Sequence, residues 1–138
     1  MLETNRGVVH PWLCDVMGHF TTRHYTAVFD DASYHLSHAC GVSVSADSDI
    51  GFVDAQLTMK FISELPVGAL FYIRSGFTKL GTKSFTMFHQ MYNCSDDSLV
   101  ATVEEVAVFF NLKTRTSIAI PEDFRAKALT LLLKNEDH

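Results

Sequence analysis

Cysteine is scarce in this sequence. Cys14, Cys40 and Cys94 are odd in number, far apart, and form no Cys-x-x-Cys pair. That excludes a disulfide framework and a cysteine zinc site, and points to free thiols in a reducing compartment. Positive charge is in deficit. Eleven Lys and Arg face sixteen Asp and Glu, a formal net charge of −5, the wrong sign for a general nucleic-acid binder. The balance leaves room for a local basic patch facing a phosphorylated ligand. Long hydrophobic runs are missing: none approaches the roughly 20 residues of a membrane span. The first residues, Met1 to Arg6, carry no apolar signal core. The expectation is a soluble, cytoplasmic protein with neither membrane nor nucleic acid as partner. Linkers, repeats and low-complexity tracts are also absent, so residues 1–138 read as one domain.

Apolar residues, by contrast, are plentiful. They make up 47% of the chain, and eleven Phe, four Tyr and one Trp supply enough surface for a core and for a subunit interface. Their spacing changes along the chain. Residues 6–10 predict a short strand stopped by Pro11, followed by an irregular stretch over 12–19. Tyr25, Val28, Phe29, Ala32, Leu36, Ala39 and Cys40 then recur at three- and four-residue steps, the stripe of an amphipathic helix. Thr21 or Thr22 suits its N-cap and Gly41 its end. Beyond Gly41 the period becomes two. Val53, Ala55, Leu57, Met59 and Phe61 alternate with polar residues, predicting a half-buried strand. Further strands are predicted over 69–78, 83–93 and 99–110, separated by polar or Gly-containing turns, which is an antiparallel meander. Pro121-Glu122-Asp123 opens a short terminal helix. The sum is an α+β domain in which a helix buries its stripe against a curled sheet.

The chemistry concentrates in Asp15-Val16-Met17-Gly18-His19-Phe20-Thr21-Thr22-Arg23-His24-Tyr25. One carboxylate sits in an irregular loop just before a helix. The first amides of a helix lack partners and carry the positive end of its dipole, a setting suited to an oxyanion. Taken alone, Asp15 has an ordinary explanation as a loop residue bonded to its own backbone. His19 either orients Asp15 or a substrate, or packs near the helix start. Tyr25 reads as core. His35 and His38 are spaced i, i+3 without a carboxylate motif, so no metal site is expected. Of Glu104 and Glu105, adjacent in mid-strand, one should point inward, toward an interface or an ion pair.

The same stretch resembles the motif of the 4-hydroxybenzoyl-CoA thioesterase group of hotdog proteins, approximately Asp-x-x-x-His-x-Asn-Asn-x-x-Tyr. Asp15, His19 and Tyr25 fall on the pattern, and Thr21 and Thr22 replace its paired Asn. Phe29-Asp30-Asp31-Ala32, Asn111-Leu112-Lys113-Thr114-Arg115 and Pro121-Glu122-Asp123-Phe124-Arg125 are similar to the segments that follow it. The resemblance implies a hotdog fold, a long central helix wrapped by about five antiparallel strands, with a C-terminal helix. It implies hydrolysis of an acyl-thioester, acyl-CoA above all, with no cofactor. Asp15 would be nucleophile or general base and the Thr22 amide the oxyanion donor. It also implies a homodimer, or a dimer of dimers, with sites between subunits. Lys79, Lys83 and Arg115 are candidates for the coenzyme A phosphates, and Thr21 and Tyr25 for other substrate contacts. Two other readings use the same residues. A hotdog dehydratase or hydratase resembles Gly18-His19-Phe20 but has Pro where Thr21 stands. A non-catalytic acyl-thioester binder has no need of Asp15.

Overall fold

A computed structural model describes residues 1–42 and 45–134. The alternating segments form β1 (Leu2–Val8), β2 (Ile50–Phe61), β3 (Leu70–Leu80), β4 (Ser84–Asn93) and β5 (Leu99–Asn111). They lie in the order β1-β3-β4-β5-β2, each pair of neighbours antiparallel. A two-residue β6 (Thr116–Ser117) pairs with the end of β5 as a sixth strand. The helices are α1 (Thr22–Ala39) and α2 (Glu122–Leu129). This α+β arrangement is consistent with the hotdog fold.

The stripe of α1 packs on the sheet through Tyr25, Phe29, Ala32 and Leu36, all buried. Phe29 joins Val9, Phe20, Ile73, Met91 and Val103 in one apolar cluster. A second cluster gathers Leu36, Phe77, Phe85 and Phe109 under Phe124 of α2. Burying each such side chain stabilises the fold by about 1.5–3 kcal/mol. Gly76 lets the C-terminal segment close over β3. A Cβ there would meet the Leu131 carbonyl oxygen at 2.9 Å, and the neighbouring Phe77 amide donates to that oxygen.

Several expectations are corrected. The helix is not a long central one enclosed by the sheet. It has eighteen residues, lies against β1, β3 and β4, and leaves the far end of the sheet to α2. Its buried face also carries Ser33 and Ser37, while Val28 is half-buried and Ala39 exposed. The Ser37 hydroxyl donates to the Ser33 carbonyl four residues back, and the Ser33 hydroxyl has side-chain partners across the core, which makes both tolerable inside. β1 starts at Leu2 rather than Arg6, because its buried residue is the polar Thr4 and alternation is masked. The largest correction concerns β2. Among the described residues it pairs with β5 only, α1 meets its Phe61 end through Tyr25, and Leu57 and Phe61 are still 42% and 53% exposed. A bulge between Asp54 and Gln56 also breaks the alternation, so Val53 leaves the face that Leu57, Met59 and Phe61 share.

Candidate active site

Asp15 is held by its own loop. Its amide donates to the His19 carbonyl at 2.9 Å, and its carbonyl accepts from Gly18 at 3.0 Å. Its Oδ1 accepts the amides of Met17 at 2.8 Å and His19 at 3.3 Å. Gly18 makes this turn possible, because its φ of +79° is strained for other residues. The second oxygen, Oδ2, has no hydrogen-bond partner among the described residues. The loop-residue explanation and the chemical one therefore divide the carboxylate, with one oxygen structural and the other available.

The loop after β2 closes over this turn. The Phe20 amide donates to the Leu65 carbonyl and the Val67 amide to that of Gly18. His19 Nε2 lies 3.1 Å from Glu64 Oε2. A cavity of about 280 Å³ opens here, lined among others by Asp15, His19, Thr22, Tyr25, Phe61 and Glu64. Phe20 and Phe61 stand edge-on to Tyr25 at 4.6 and 5.2 Å. Burial pushes the Tyr25 phenol up to about 12, so it stays protonated and neutral. Thr21 occupies the N-cap without a side-chain capping bond, and its carbonyl accepts the His24 and Tyr25 amides. The amides of Thr22 and Arg23 have no acceptor among the described residues, as the first turn of a helix dictates. One cavity thus brings together Asp15, His19, Thr22 and Tyr25. Phe61, Ile62, Ser63 and Glu64 were not foreseen. Leu65-Pro66-Val67-Gly68 signals the end of a strand, but no local pattern says what the resulting loop touches.

Lys79, Lys83 and Arg115 are elsewhere. All three are exposed at the β3–β4 turn and the β5–β6 turn. The cavity lies at the end where β3 begins and β2 stops. About ten residues of strand, roughly 30 Å, separate the two ends within one chain. Lys83 Nζ meets Ser117 Oγ at 3.5 Å and the Arg115 guanidinium sits over the Phe110 ring.

A buried polar chain crosses the core. Thr4 Oγ1 meets Ser75 Oγ at 2.6 Å, Ser75 Oγ meets His89 Nδ1 at 2.6 Å, and His89 Nε2 meets Ser33 Oγ at 3.2 Å. Ser33 donates to Glu105 Oε2 at 2.6 Å, and the Asp54 carboxylate of β2 also acts on Glu105. Of the adjacent glutamates, Glu105 is the one turned inward. Burial, then Asp54, pushes its carboxyl up to about 8, and burial lowers His89 to about 3. The 3.8 Å approach of these two side chains is therefore a contact of neutral groups and not an ion pair. Among the described residues no cluster of three or more His, Cys, Asp or Glu is arranged to hold a metal ion.

The model of the family described as "Thioesterase-like superfamily" matches residues 9–128, which includes the whole cavity. The chain belongs to the thioesterase-like superfamily. The comparison with curated proteins found no match. Solved structures of this architecture are similar over nearly the full chain. A Staphylococcus aureus protein in complex with CoA is 20% identical with a TM-score of 0.85, over 97% of this chain and 89% of that one. A 1,4-dihydroxy-2-naphthoyl-CoA thioesterase from Synechocystis is 14% identical with a TM-score of 0.82, over 94% and 96%. A gentisyl-coenzyme A thioesterase is 24% identical with a TM-score of 0.79, over 89% and 97%. At these identities the likeness establishes the fold. No helix among the described residues is long and apolar enough to cross a membrane.

Proposed function

We propose that this superfamily member hydrolyses acyl-CoA thioesters at the Asp15 cavity, in the manner of the 4-hydroxybenzoyl-CoA thioesterase group. The observation that carries the reading is one cavity joining an unpartnered carboxylate oxygen to the unpaired amides of a helix start. Asp15 Oδ2 takes a proton from a water whose oxygen attacks the thioester carbon, or attacks that carbon itself to form a mixed anhydride that water then hydrolyses. The carbonyl oxygen gains negative charge beside the Thr22 amide, where the helix dipole favours it. The C–S bond breaks, thiolate leaves and is protonated, and the acid is released. The superfamily neighbours solved with CoA or named for aromatic acyl-CoA substrates support this substrate class. Purified protein should release free thiol from at least one member of a panel of short-chain and aromatic acyl-CoA esters. Silence across the panel would sink the reading. An enoyl-CoA arm tests the dehydratase alternative, which gains an acid partner for His19 in Glu64 but leaves Asp15 without a task.

The assembly is proposed to be a homodimer through β2. A twelve-residue edge strand with Leu57 and Phe61 uncovered is a template for pairing. A two-fold antiparallel pairing of β2 with its copy brings the second copy's Ile50 end beside this chain's Phe61 end. The Lys83 and Arg115 end of the second copy then approaches the cavity, which resolves the separation within one chain. Light scattering should find a dimer at micromolar concentration, and Leu57→Glu should shift it to monomer. A wild-type monomer would remove the interface. Coenzyme A phosphates are proposed to meet Lys79, Lys83 or Arg115 in charge-assisted bonds. Removing these charges singly should raise KM more than it lowers kcat, and the effect should fade as salt is added. Unchanged KM in all three variants would place the phosphates elsewhere.

A further inference from the structure

We infer that Glu64 is a positioning residue that fixes the ring of His19. The inference rests on the hydrolase reading of the same cavity and names a part of it that lies outside the Asp15–Tyr25 motif. The backbone of His19 is tied at both ends, its amide to Asp15 Oδ1 and its carbonyl to the Asp15 amide. Those ties leave the ring free to rotate and to exchange its proton between nitrogens. Glu64 removes both freedoms. A carboxylate accepts only, so Glu64 Oε2 at 3.1 Å selects the form with hydrogen on Nε2. Nδ1 is then the acceptor, able to take a hydrogen bond from water in the cavity that holds Asp15.

The segment carrying Glu64 is fixed to the Asp15 turn, because the Phe20 amide donates to the Leu65 carbonyl at 2.9 Å. The pair is therefore built from two loops locked to each other. It is also too exposed to be a device of stability. The His19 side chain is 33% exposed and that of Glu64 74%, and ion pairs in such settings add little to folding. Glu64 can be changed at little cost to folding; its removal frees the ring and also withdraws a negative charge that acts on Tyr25, which the Glu64→Gln variant separates from the lost bond.

Steady-state kinetics on the best thioester of the panel test this with four variants. Glu64→Ala should lower kcat about tenfold, the order expected for a displaced group, with KM within about twofold. Glu64→Gln should recover most of that loss, because its amide oxygen still accepts the Nε2 hydrogen. In a His19→Ala background, adding Glu64→Ala should change kcat less than about twofold, since the residue it positions is gone. Nitrogen-15 spectra of the His19 ring supply a readout independent of catalysis: one tautomer, with hydrogen on Nε2, in the wild type, and a mixture in Glu64→Ala. Wild-type kcat in Glu64→Ala, or full additivity in the double variant, overturns the inference. If the wild type releases no thiol from any substrate, the hydrolase reading fails separately. The ring spectra alone then decide, and a tautomer unchanged by Glu64→Ala refutes the positioning.

Discussion

Asp15→Asn is expected to lower kcat at least about a hundredfold while KM stays nearly unchanged. An amide is neither a base nor a competent nucleophile, and general-base assistance alone is typically worth ~10²–10⁴-fold. The substitution is cleanly aimed. The retained oxygen can still accept the Met17 and His19 amides that bind Oδ1, so the turn survives. The atom changed is the one without a partner. A loss of stability above the cap-sized ~1 kcal/mol is not expected, and a melting curve alongside the kinetics checks that. The Thr22 and Arg23 amides remain in place, so slow hydrolysis above background should persist. A variant with wild-type kcat on a good substrate would make Asp15 structural and end the proposed mechanism.

Stability should trace a plateau in pH with a fall on each side, set by Glu105 and His89. In the fold Glu105 keeps its proton to about pH 8, whereas its ordinary value is 4.5. Across that interval the folded state binds the extra proton, so stability declines as pH rises. His89 is lowered to about 3 from 6.5. Between those values the unfolded chain binds the extra proton, so stability declines as pH falls. The two effects oppose each other from about 4.5 to 6.5 and give the plateau. Above it only Glu105 acts, and below it only His89. At ~1.4 kcal/mol per pH unit, each flank loses on the order of 2 kcal/mol over its 1.5 units. For a chain of this size that is a Tm drop of roughly 5–10 °C between pH 6.5 and 8. Glu105→Gln, which has no proton to lose, should abolish the alkaline fall and leave the acid one. If Glu105→Gln melts with the wild-type pH profile, Glu105 is already ionised in the fold and the buried chain is organised differently.

The strands and helices were legible where one rule governs a segment. The periods of α1, β3, β4 and β5 survive because each element buries one face against one partner. Legibility failed where two demands met in one residue. Ser33 occupies a buried helix position where the polar chain to His89 and Glu105 runs, Ser37 beside it is satisfied by the Ser33 carbonyl, and an apolar stripe passes over both. The parity of His89 with Met87 and Met91 was a signal that it points inward, and it could have been used. β2 carried a clean alternation that suggested a half-buried strand, yet its bulge and its edge position leave it uncovered in one chain.

The sequence by itself determined the α+β class and the place of the loop before α1, and the motif it resembles pointed to Asp15, His19 and Tyr25 within that loop and the helix start. These depend on contacts within a few positions along the chain, where spacing is conformation. Only the tertiary structure decided that Glu64 faces His19, that Phe61 walls the cavity beside Tyr25, and that Lys79, Lys83 and Arg115 lie at the far end of the sheet. Those facts depend on strand order and register, through which residues tens of positions apart become neighbours. No local pattern encodes them, because hydrogen-bonded strand pairs are chosen by the packing of the whole sheet rather than by any one strand.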